Sequence, residues 1–190
     1  MLRWLLLSVL LALLSFGFSL AYRLGAFKSP TFTVAEESIL FFVYKEHIGP
    51  YHKIVGTIEE VEAWAKGKGI TCTRTYGEFL DNPEVIDEAR LRSHCGCVLD
   101  DAQAGAMSLP EGFHFEERPA QKYIKVTFEG SPSIGPFKVY SQVKEMATNQ
   151  RMTLGTSNFE IYDIHQAEGS PDSSKADSMT TTYLFPINAN

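Results

Sequence analysis

Ile48-Gly49-Pro50-Tyr51 recurs as Ile134-Gly135-Pro136-Phe137, and the surroundings recur with it. Each copy follows a run of aromatic and β-branched residues, 39–44 in the first and 123–128 in the second, which predicts a strand. Each copy also precedes a helical period. Ile54, Ile58, Val61 and Ala65 share one face, as do Val139, Val143 and Met146. The Gly-Pro pair supplies the turn, and proline suits a first helical position because its missing N–H bonds nothing there. Further along, Glu78-Phe79-Leu80-Asp81 matches Glu160-Ile161-Tyr162-Asp163, and a strand closes each half at 95–99 and 181–187. Matches in the same order, flanked by the same patterns, predict an internal repeat. The expected fold is α+β: two pseudo-twofold-related strand-helix-strand-strand units with mainly antiparallel sheets, with Gly49 and Gly135 at equivalent turns.

An uncharged run from Trp4 to Tyr22 precedes the repeat, bounded by Arg3 and Arg23. Its nineteen residues would rise roughly 28 Å as a helix, close to the hydrocarbon thickness of a bilayer. Trp4 and Tyr22 stand at its ends, where amphipathic rings favour the interface. A retained single-pass anchor is therefore expected. A cleaved signal peptide is the competing reading, since Ser19-Leu20-Ala21 offers small residues at the peptidase positions. Positive charges flank both ends equally, so sidedness is open. The expected organisation is an anchor at 1–23, a linker at 24–32 containing Gly25, Ser29 and Pro30, and one domain at 33–190. Within it, Asp81-Asn82-Pro83 reads as a turn, 84–91 as a helical turn, 100–112 as the link between halves, and 166–178 as a polar hairpin loop.

A formal charge of −6 with no compensating basic stripe argues against nucleic acid as a partner. Cys72, Cys95 and Cys97 make no disulfide framework. Nor does the chain hold a second ligand pair that would close a zinc site around His94, Cys95 and Cys97. Cys95 and Cys97 share a strand face and are expected to be buried; a bridge from either to Cys72 stays open. His47, His52, His94, His114 and His165 lack metal-ligand spacing, and no nucleophile motif accompanies them. No metal and no cofactor is expected.

This duplicated layout, from about Ile39 to Ile187, resembles the GyrI-like small-molecule-binding superfamily, which includes effector-binding domains of AraC- and MerR-type regulators. The resemblance implies a ligand groove where the two units meet. The segments Val43-Tyr44-Lys45-Glu46-His47-Ile48-Gly49-Pro50-Tyr51, Asp81-Asn82-Pro83, Cys95-Gly96-Cys97 and Phe159-Glu160-Ile161-Tyr162 are similar, as an ordered set, to a testis-expressed single-pass branch that acts in ER-phagy. In that branch the receptor role needs a long acidic tail, whereas this sequence stops at Asn190. The autophagy role is therefore not carried over.

Glu160 is the leading site residue. Strand alternation puts Phe159 and Ile161 on one face and Glu160 with Tyr162 on the other. A carboxylate among aromatics selects cations, by charge pairing and by attraction to ring faces. The resemblance implies that the matching glutamate meets cationic ligands. Glu78 is its expected counterpart, and Tyr44 and Tyr183 are expected to line the same groove. The expected function is a membrane-anchored, non-catalytic binding module for a small amphipathic or cationic molecule. Two alternatives stand beside it: a hydrolase of strained electrophilic molecules, which the resemblance also implies, and an adaptor that binds a protein partner. No helix-turn-helix segment is present, so a DNA-binding regulator is not expected unless that part is a separate chain.

Overall fold

A computed structural model of the chain describes residues 2–70, 72, 74–99, 108–165 and 178–188. It begins with helix α1 (Leu2–Arg23), which is long and apolar enough to cross a membrane; none of its most apolar window is buried. The domain follows as strands β1 (Thr31–Glu37) and β2 (Leu40–Ile48), helix α2 (Val55–Gly67), and strands β3 (Arg74–Phe79) and β4 (Arg92–Leu99). The second half repeats that order: β5 (Phe113–Arg118), β6 (Gln121–Glu129), α3 (Gly135–Asn149), the two-residue β7 (Thr153–Leu154), β8 (Asn158–His165) and β9 (Ser178–Asn188). Each half is thus the expected strand-helix-strand-strand unit with one further strand in front. The expected loop at 166–178 lies outside the described residues except for Ser178, where β9 begins, and so does 100–107 of the link between halves. At 84–91 the Val85 and Ile86 N–H groups close a turn on the Asn82 carbonyl, and a short 3₁₀ turn follows at Glu88–Arg90, with the Asp87 side chain accepting the Ala89 N–H.

All strand pairs are antiparallel, in the order β1-β6-β9-β8-β3-β4-β2-β5, with β7 added beside β9. The halves meet where β3 pairs β8. They also exchange their leading strands: β1 pairs with β6 of the second half, and β5 with β2 of the first. Neither leading strand was legible as an element. Residues 31 and 32 therefore belong to the domain rather than to a linker.

The pairing also fixes which residues are equivalent. The Gly49 N–H bonds to the Leu91 carbonyl, and the Gly130 N–H bonds to the Met179 carbonyl. Gly77 pairs with Cys95, and Glu160 pairs with Tyr183. The counterpart of Gly49 is therefore Gly130, not Gly135, and that of Glu160 is Gly77, not Glu78. Gly135 has a separate cause: a Cβ there would lie 2.0 Å from the Tyr183 hydroxyl oxygen.

Both helices cover one face of the sheet. Under α3, Val139, Val143 and Ala147 meet Ile124, Val126, Phe128, Tyr183 and Phe185. Ala147, rather than the expected Met146, is the buried member of that stripe, and Met146 is half-buried. Under α2, Val61 and Ala65 meet Val43, Cys97 and Leu99, while Ile54 and Ile58 meet Phe79 and Cys95. The opposite face buries Leu40, Phe42, Tyr76, Val98, Tyr123, Phe159, Ile161 and Leu184. Cys72 and Cys97 form a disulfide across 25 residues, and Cys95 is free and buried.

Candidate functional site

Helices α2 and α3 flank a groove of about 1620 Å³ over the β3–β8 seam. Its walls are mainly apolar, with Ile54, Ile58 and Phe79 from the first half and Tyr140, Val143 and Phe185 from the second. Along its length it runs from Tyr51, Asn82 and Pro83 to Pro132, Phe137 and Met179.

Glu160 lies on its floor, only 4% exposed. β8 puts it there by alternation: Phe159 and Ile161 enter the far core, so Glu160 and Tyr162 must point between the helices. One carboxylate oxygen accepts from the Tyr140 hydroxyl at 2.7 Å, and the other accepts from the Tyr162 hydroxyl at 3.1 Å. The Asn158 amide donates in turn to the Tyr140 oxygen at 2.7 Å. Three polar side chains thus hold the acid in place, yet no cation pairs with it among the described residues. Burial pushes the Glu160 carboxyl up to about 7, against the two tyrosine hydrogen bonds that lower it. Burial, reinforced by the Glu160 charge, raises both tyrosines well above their ordinary range. They remain neutral donors.

The rim carries further negative charge. Glu59, Glu62 and Glu84 line the groove together with Lys144, which itself reaches Glu84 at 3.4 Å. Partial burial, and then the neighbouring Glu59, raise the Glu62 carboxyl. Asp81 also lines the groove but is held by Arg92 at 2.7 Å.

Of the other expected site residues, Tyr183 lies on the helix side directly across from Glu160. It is fully buried beneath α3 and does not line the groove. Its hydroxyl has no hydrogen-bond partner among the described residues. Glu78 and Tyr44 do not belong to the groove. Glu78 pairs across β3 and β8 with Phe159, which sets it on the opposite face of the sheet from Glu160. There it receives His94 Nδ1 at 3.0 Å, Ser157 Oγ at 2.8 Å and an Arg118 nitrogen at 3.2 Å. Burial raises the Glu78 carboxyl, but these donors and the Arg118 charge outweigh it and leave it below its ordinary value. Tyr44 stacks on His94 at 4.3 Å and on His114 at 5.2 Å. Ligand atoms of Glu78, His94 and Glu116 lie within 4.8 Å of one another, a spacing a metal ion could use. The Arg118 guanidinium already bridges both carboxylates, at 3.2 Å and 2.7 Å, so the cluster carries its own cation.

Tyr140 and Asn158 went unrecognised in the sequence. Tyr140 follows Val139 on α3 and reads as helix surface, while Asn158 stands at the first position of its strand. One available signal was that Asn158 and Glu160 share a face by alternation, as any polar pair two apart on a strand does.

Residues 39–186 match the model of the GyrI-like small molecule binding domain. Among solved structures, the chain is similar to EcmrR in its complex with DNA, with a TM-score of 0.64, 14% identity and 95% of this chain covered; it spans only 65% of that chain. The EcmrR C-terminal domain gives a TM-score of 0.60 at 19% identity, covering 85% of this chain and 99% of that one. SAV2435 bound to tetraphenylphosphonium gives 0.50 at 11% identity, covering 84% and 94%. No curated protein sequence matches.

Proposed function

The chain belongs to the GyrI-like small-molecule-binding family, and from that premise we propose that it is a membrane-anchored, non-catalytic receptor for a small cationic amphiphile. One observation carries the proposal: a buried carboxylate without a cationic partner, on the floor of a large apolar groove. A positive ligand would supply the missing charge, while the groove walls take its apolar part. The acidic rim at Glu59, Glu62 and Glu84 favours the same sign of ligand. That SAV2435 binds tetraphenylphosphonium makes this cation a suitable first probe.

The hydrolase reading loses the second acid it expected, because Glu78 lies through the sheet from Glu160; the other groove acids, Glu59, Glu62 and Glu84, are less buried than Glu160. The adaptor reading would fit a filled groove, and this one is open. Helix α1 serves as the anchor in this proposal, having the length and composition to span a bilayer.

Calorimetric titration of the detergent-solubilised chain with tetraphenylphosphonium tests the reading. Glu160→Gln keeps size and removes charge. Its affinity should fall roughly 10- to 150-fold, the range for a lost hydrogen bond or contact to a charged group. Equal affinity in both proteins would remove Glu160 from the role.

A further inference from the structure

The last turn of α1 does not lead into a free tether. The Leu24 carbonyl accepts the Ser131 N–H at 3.0 Å, and the Lys28 carbonyl accepts the Lys138 ammonium at 2.6 Å. Lys28 in turn pairs with Glu129 at 3.3 Å. The backbones touch so closely that side chains are excluded at two points. A Cβ on Gly25, which has φ +80°, would meet the Glu129 carbonyl at 3.0 Å, and one on Gly130 would meet the Leu24 carbonyl at 2.9 Å. The end of the anchor is thus fixed against the β6–α3 turn.

That turn is one end of the groove. Pro132, Ser133, Pro136 and Phe137 line it there, and Phe137 is 85% exposed, an unusual state for a phenylalanine. Phe27, 61% exposed, doubles back along α1 so that its ring lies 5.3 Å from that of Phe18. Phe18 stands five residues before Arg23, about 7.5 Å along the helix axis. A headgroup layer is roughly 5–7 Å thick on each side of the hydrocarbon. If α1 spans the bilayer with Tyr22 at the hydrocarbon edge, Phe18 lies about 6 Å inside that edge; Phe27 beside it then sits at the boundary of hydrocarbon and headgroups, and the Lys28–Lys138 contact holds the start of α3 near it.

We infer that Phe27 and Phe137 seat the domain on its own bilayer, so that the α3 end of the groove opens into the headgroup layer and takes its ligand from the lipid phase. This rests on the anchored-receptor reading and specifies its ligand as a bilayer-dissolved amphiphile. Such a molecule would enter past Phe137 and Pro136, keeping its apolar part in contact with lipid or groove wall while its positive head reaches Glu160. The opposite end, at Tyr51, Asn82 and Pro83, faces away from the membrane. The groove then has a wet mouth and a lipid mouth.

The test is a nitroxide label at position 137 (Phe137→Cys) in the full chain, reconstituted in phosphatidylcholine vesicles. A label at the exposed Val85 (Val85→Cys), beside the far mouth, is the comparison. Cys72 and Cys97 are bonded to each other and Cys95 is buried, so the introduced thiol takes the label. Accessibility to oxygen relative to a water-soluble nickel complex should be several-fold higher at 137 than at 85. Two labels equally open to nickel, on protein that still resists carbonate extraction, would overturn the seating and leave the anchor intact. Equal immersion of both labels would also overturn it, because another face would then lie on the membrane. Protein released by carbonate would bring down the anchor reading first, and the seating with it.

Discussion

Replacing Glu160 by glutamine should change how stability depends on pH, and the change can be sized from the site. The Glu160 carboxyl titrates near 7 when folded, against an ordinary value of 4.5. Between those values the folded state holds a proton that the unfolded chain has released. Folding is therefore favoured below pH 4.5 and loses that advantage as pH rises through 7. Each pH unit in the interval costs about 1.4 kcal/mol, so the whole span costs about 3.5 kcal/mol. A site only 4% exposed needs no large discount for solvent screening. In Glu160→Gln nothing titrates at this position, and the tyrosines that its charge perturbs titrate well above the pH range used. The difference between wild type and variant, measured by urea denaturation of the detergent-solubilised chain at half-unit steps from pH 4.5 to 8, isolates the carboxyl. The variant should gain on the wild type as pH rises and level off above about pH 7.5. A flat difference would mean that the carboxyl is ordinary and that the groove floor is wet.

Four further outcomes follow from the same geometry. Tetraphenylphosphonium should bind about tenfold more tightly at pH 8 than at pH 6 by calorimetry, because a carboxyl titrating near 7 is about one-tenth ionised at the lower pH and nine-tenths at the higher; Glu160→Gln should abolish the dependence. Tyr140→Phe leaves the part-buried Asn158 amide and one oxygen of the buried Glu160 without this partner, and should cost about 1–3 kcal/mol in denaturation while moving the Glu160 titration upward by carboxyl-carbon NMR. Cys72→Ser opens a 25-residue loop and should cost about 3.5 kcal/mol on loop entropy, an effect that reductant should reproduce in the wild type and not in the variant. Gly135→Ala forces a methyl against the Tyr183 ring and should lower the thermal midpoint, with partial recovery in the Gly135→Ala, Tyr183→Phe double variant.

The duplication was legible because it is written in short-range signals. Strand runs, helical periods and Gly-Pro turns each occupy a few residues, and both copies keep them in order. The exchange of β1 and β5 was not legible, since which strand a segment pairs with depends on contacts some 90 residues apart, such as Thr31 with Thr127. Phe113–Arg118 also reads poorly as a strand: its FHFEER run carries three charges in six residues and stands at the edge of the sheet, where side chains face water.

The groove shows where sequence reasoning holds and where it breaks. Alternation placed Glu160 and Tyr162 together and away from Phe159 and Ile161, and the structure keeps that arrangement because one face of β8 enters the far core. The step from Glu160 to Glu78 used similarity of letters instead. In a sheet, one residue of register decides the face, and the EFLD and EIYD segments align by sequence one position away from where β3 and β8 are equivalent. That single step moves Glu78 through the sheet to His94 and Arg118, and puts Gly77 opposite Glu160. The duplication is thus broken at the point where it matters chemically. Two symmetric carboxylates facing each other would have repelled, or shared a proton, and favoured a dication or acid–base chemistry. A glycine opposite one acid leaves a single carboxyl on the groove floor, and in the proposed receptor that floor would take one positive charge on one amphipathic ligand.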